Sequence, residues 1–77
     1  MTVKNIISGD NIEISVRPNA TDYEIRQETI RESAKLWQTE TAEKSLSYGE
    51  LLHDVRIFET QAKRFGLQKE LRENGII

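Results

Sequence analysis

At 77 residues and a formal net charge of −2, with no cysteine and one histidine, the chain has room for one domain and excludes disulfide staples and thiolate metal sites. Its composition is 36% hydrophobic and 31% charged, with four glycines and one proline, as in a folded, helix-rich protein, and its acidic balance argues against a general nucleic-acid binder, which needs a basic stripe to neutralise phosphates. So small a core leaves a narrow stability margin, and with disulfides and metal set aside the expected supplement is association, in the form of a homodimer.

The opening MTVKNIISGDN has no basic region followed by a long apolar run, and no stretch approaches the roughly 18 apolar residues of a membrane span. The expectation is a cytoplasmic protein. In residues 1–17 Ile12, Ile14 and Val16 alternate with Glu13, Ser15 and Arg17, the period of two that a half-buried strand shows. Val3, Asn5 and Ile7 alternate less cleanly before them, and Ser8-Gly9-Asp10-Asn11 supplies four turn formers in succession. This predicts a β-hairpin, ended by Pro18, whose nitrogen cannot donate to a ladder.

Thr21 followed by Glu24 is a capping box that opens a helix over 21–45. Tyr23, Ile30, Ala34, Trp37 and Thr41 share one of its faces, and Ile25, Thr29, Ser33 and Leu36 make a second stripe beside it. Together they span roughly half the circumference at about 100° per residue, more than one partner helix covers. The second stripe must therefore meet the hairpin or another protomer.

A break is expected near Ser45-Leu46-Ser47, because a helix running unbroken from Asp22 to Phe65 would be about 66 Å long at 1.5 Å per residue and could not fold back on itself. Ser47 and Glu50 form a second capping box, opening a helix over 47–65. Tyr48, Leu51, Val55, Phe58, Ala62 and Phe65 step alternately by three and four, one narrow seam for docking on another helix. Gly66 is placed to end it in the left-handed conformation. A short helix over 67–74 follows, with Gly75 as its stop and Ile76 positioned to touch Leu71. The reading is a single helix-dominated α+β domain over 1–77, an N-terminal β-hairpin or ribbon packed on an antiparallel α-hairpin with a short C-terminal helical turn.

Catalytic constellations are hard to find. Phosphate-cradling loops need clustered glycines, acyl transfer needs a nucleophile beside a base, and His53 has no serine near it in sequence. Glu24, Glu28 and Glu32 stand one turn apart, but Arg31 and Lys35 neighbour them, so they read as a hydrated ridge and not as a carboxylate metal site. No enzyme activity, no cofactor and no metal is expected.

What remains is binding. Small size, a wide apolar arc and mixed surface charge give the profile of a small regulatory protein that acts through another protein, such as an antitoxin, an inhibitor or an adaptor of phage or plasmid type. Candidate contact residues are Ile25 and Leu36 on the second stripe, Trp37 as the sole tryptophan, and Ile57, which lies off the seam between polar neighbours. The order strand, helix, helix resembles the ribbon-helix-helix repressors and antitoxins over about 50 residues, without a specific motif. The resemblance implies dimers whose paired strands enter the DNA major groove. Glu13, Ser15 and Arg17 would then be the strand residues that read DNA, of which only Arg17 suits the task; the candidate DNA contacts are Ser15 and Arg17 with the basic residues Arg56 and Lys63. The first helix is longer than that family's, a hairpin precedes the strand, and Glu13 would oppose phosphate.

Overall fold

The computed structural model describes residues 1–43 and 46–77. Two short strands, β1 (Thr2–Lys4) and β2 (Asn11–Glu13), pair antiparallel with Val3 opposite Ile12. Three helices follow among the described residues: α1 (Asp22–Glu43), α2 (Tyr48–Phe65) and α3 (Gln68–Glu73). α1 and α2 pack as a hairpin, α3 folds back beside them, and the 22 residues of α1 give a helix of about 33 Å at 1.5 Å per residue. That length sets the long axis of a body 40 × 24 × 17 Å across.

The hydroxyl caps at Thr21 and Ser47 form. The Glu24 amide donates to the Thr21 hydroxyl and the Glu50 amide to the Ser47 hydroxyl, each at 3.2 Å. Gly66 takes φ +69°, and the Leu67 amide reaches back to the Ala62 carbonyl at 2.9 Å. The same device closes α3, with Gly75 at φ +76° and the Ile76 amide on the Leu71 carbonyl at 2.9 Å. The expected break between the long helices lies where α1 ends at Glu43 and α2 begins at Tyr48; Ser45, named in that expectation, is outside the described residues.

The core is the α1–α2 seam closed by the tail. Ile30 and Ala34 from α1, Phe58 and Ala62 from α2, and Leu67, Leu71 and Ile76 form one buried cluster. Trp37 and Phe65 pack against it, Trp37 edge-to-face on Phe58 at 5.5 Å and Tyr23 tilted on Phe65 at 5.4 Å. Tyr48, expected in the seam, is instead 79% exposed. The reason is register. Tyr23 meets Phe65 and Trp37 meets Asp54 and Phe58, so the start of α2 comes opposite the end of α1, at the margin of the seam and away from its buried centre.

The hairpin also differs from its expected form. β2 stops at Glu13, and Ile14 is buried just past the strand. Asn5 does not continue a strand: its side-chain oxygen accepts the Ile7 and Ser8 amides at 2.8 and 3.2 Å, and its carbonyl accepts the Gly9 amide at 2.9 Å. An asparagine that captures the amides ahead of it turns the chain. The turn aims both Ile6 and Ile7 at the helical core, where strict alternation would have sent them to opposite faces.

Candidate partner-binding surface

The second stripe of α1 is met by the hairpin of the same chain. Ser33, fully buried, accepts the Ile6 amide on its hydroxyl oxygen at 3.2 Å, and the Thr29 hydroxyl donates to the Ile25 carbonyl at 2.7 Å. Both small polar side chains let the hairpin turn approach the helix closely, and among the described residues no buried side-chain polar atom is left without a partner. Small side chains also fill little space. Toward the start of α1 an open cleft of about 610 Å³ remains, with Val3 and Lys4 on the β1 side and Asp22, Ile25, Arg26 and Thr29 on the α1 side.

Of the four candidate contact residues, the structure places Ile25 half-buried in this cleft and Leu36 on the same stripe, 37% exposed. Eleven residues separate them in one helix, so they lie on one flank about 16 Å apart. Trp37 belongs to the other face: it is half-buried in the seam, and its indole N–H donates to the Asp54 carboxylate at 2.9 Å. Ile57 is half-buried and not freely exposed. Lys4 and Arg26 were not singled out by pattern. Both are exposed and make no ion pair among the described residues. Arg26 could have been found as the neighbour of Ile25 on the same flank; Lys4 could not, since its position depends on the hairpin's packing.

The acidic ridge is neutralised pair by pair. Glu24 holds Arg17 at 2.5 Å, Glu28 holds Arg31 at 2.6 Å, and Glu32 lies 3.9 Å from Lys35. Arg31 also binds Glu70 of α3 at 2.7 Å, and these contacts, that to Glu70 first, raise its pKa. The hydrogen bond from Arg17 lowers the pKa of Glu24. Among the described residues no group of three or more histidines or carboxylates is placed to hold a metal. His53 is exposed.

For the DNA-contact residues, Ser15 and Arg17 lie beyond β2, which ends at Glu13, so they do not project from a ladder. Arg17 is engaged by Glu24, and Glu13 by the Thr2 hydroxyl, which holds its carboxyl below the usual range. β2 pairs with β1 of its own chain. Arg56 and Lys63 are exposed on α2. Among the described residues no helix is long and apolar enough to cross a membrane. No protein-family model, curated protein or solved structure matches this chain.

Proposed function

We propose that this is a small non-catalytic regulatory protein of the cytoplasm, acting as an inhibitor, antitoxin or adaptor by binding another protein along the hairpin flank of α1. The observation that carries this reading is that one flank of α1 leaves apolar surface open on either side of the stretch the hairpin covers, at the cleft by Ile25 and at the exposed Leu36. Apolar surface of this kind, bordered by charged residues, is what a partner covers. The pairing of Glu13 with Thr2 on the strand and of Arg17 with Glu24 beyond it leaves this segment with little to offer a base edge, so the protein reading stands ahead of DNA binding.

The test is site-specific crosslinking in cells that make the protein. A photoreactive residue replacing Leu36 should give one discrete protein adduct, whereas the same residue replacing the exposed Glu59 on α2 should not. Identical patterns from both positions, no adduct, or an adduct to nucleic acid would overturn the reading.

A further inference from the structure

The cleft has a property that an apolar patch lacks: one of its walls is a free strand edge. The cleft touches Val3 and Lys4, and it touches no residue of β2. Consecutive strand residues point to opposite faces of a sheet, so a space that meets both lies along the outer edge of β1 and not on either face. The hydrogen bonding fixes which groups face outward. Ile14 donates to the Met1 carbonyl and Asn5 to the Asp10 carbonyl, with Val3 opposite Ile12 between them. In an antiparallel pair the bonded positions alternate, so Met1, Val3 and Asn5 face β2, while the amides and carbonyls of Thr2 and Lys4 face away from it. The sheet has two strands, and the outer edge of β1 has no strand beside it among the described residues.

An unpaired edge is a template for another strand. Across the cleft, Ile25 offers an apolar contact and Arg26 a second cation beside Lys4, with Asp22 as the one acid of the lining. The lining is thus net positive on a chain whose net charge is −2. Its volume is in the range of sites that hold a ligand, about 300 to 1,000 Å³.

We propose that an extended, acidic segment of a partner protein adds to β1 as a third strand, its backbone bonding Thr2 and Lys4, its apolar side chains on Ile25 and its carboxylates at Lys4 and Arg26. This rests on the protein-binding reading above and specifies its mode. Main-chain bonds hold the segment, and side chains at alternate positions select it.

A phage-displayed library of random linear peptides, selected on the full chain, tests the mode. The recovered peptides should alternate apolar residues and carry acids. Bound to the labelled protein, a recovered peptide should shift the amide resonances of Thr2, Lys4, Ile25 and Arg26 and slow hydrogen exchange at Thr2 and Lys4. N-methylation of alternate peptide amides should abolish binding, because it removes the ladder donors. The double variant Lys4→Glu, Arg26→Glu changes two exposed side chains and should weaken binding about tenfold or more with the thermal melt unchanged. The proposal is overturned if no peptide is recovered, if peptides lack acids or map elsewhere, or if N-methylation is tolerated. It is also overturned if Thr2 and Lys4 become protected without peptide as protein concentration rises, for then a second copy occupies the edge. If these tests fail while Leu36 still yields its discrete adduct, the partner docks in another mode and the protein-binding reading survives.

Discussion

The two flanks of α1 are held by different means. Toward α2 and α3, Ile30 and Ala34 interdigitate with Phe58, Ala62 and Leu71 in a dry cluster. Toward the hairpin, Thr29 and Ser33 are buried as polar residues, each satisfied by a backbone group. The first flank gains from apolar area removed from water, which is non-directional and accumulates with contact. The second joins the packing of Ile6 and Ile7 to close approach at a few hydrogen-bonded points, so it leaves space where neither reaches, and the cleft at Ile25 is that space. One helix therefore serves as scaffold on one side and presents an unfilled edge on the other.

If this contrast is right, the seam should be the costly place to damage. Phe58 is fully buried at its centre, and Phe58→Ala should destabilise the fold by about 3 to 5 kcal/mol, through lost transfer energy and the cavity left behind. For a chain this small that lowers the melting temperature by roughly 10 °C or more. Ile57→Ala, a half-buried residue next in sequence, should cost clearly less. Equal losses, or a melt of Phe58→Ala unchanged within error, would show that the seam is not what holds the chain together.

The hairpin flank should respond to a single atom. Ser33→Ala removes the oxygen that accepts the Ile6 amide and leaves that donor without a partner, at a cost of about 1 to 3 kcal/mol. Amide exchange separates this from a general loss of packing. Exchange at Ile6 should quicken more than at Ile30 or Phe58, since the defect is confined to the hairpin turn. Uniform quickening across the core would mean that the two flanks are one cooperative unit and that the contrast between them is false.

The seam was legible in the sequence because its signals are local and repeated: alternating steps of three and four through Leu51, Val55, Phe58 and Ala62, serine and threonine caps, and glycines just after α2 and α3. The hairpin flank was legible only in part. Ile25 and Leu36 could be placed on one stripe by period, yet nothing in the spacing distinguishes Asn5 as a strand residue from Asn5 as the start of a turn; the outcome depends on which amides its side chain captures. Tyr48 fits the seam by angle and misses it by length, a matter of where the antiparallel register runs out. The cleft has no sequence signature of its own, because it arises where the hairpin meets small side chains rather than from any motif.

The smallest effect on stability should come from Leu36, and it bears most directly on what the open flank is for. The apolar stripe was wide enough to suggest a dimer, but the hairpin of the same chain covers Ser33 and meets Thr29, leaving Leu36 as the stripe's exposed apolar residue. Leu36→Asn removes no core contact and should change stability by less than about 0.5 kcal/mol. Light scattering at increasing concentration then reads the flank's role. If the chain associates with itself through this stripe, the parent protein should rise in mass with concentration and Leu36→Asn should not. If both remain monomeric, the hairpin suffices to cover the middle of the stripe at Thr29 and Ser33, and its two ends at Ile25 and Leu36 are left free for a different protein. Association that persists unchanged in Leu36→Asn would place the self-contact elsewhere, with exposed Tyr48 at the uncovered start of α2 the next residue to replace.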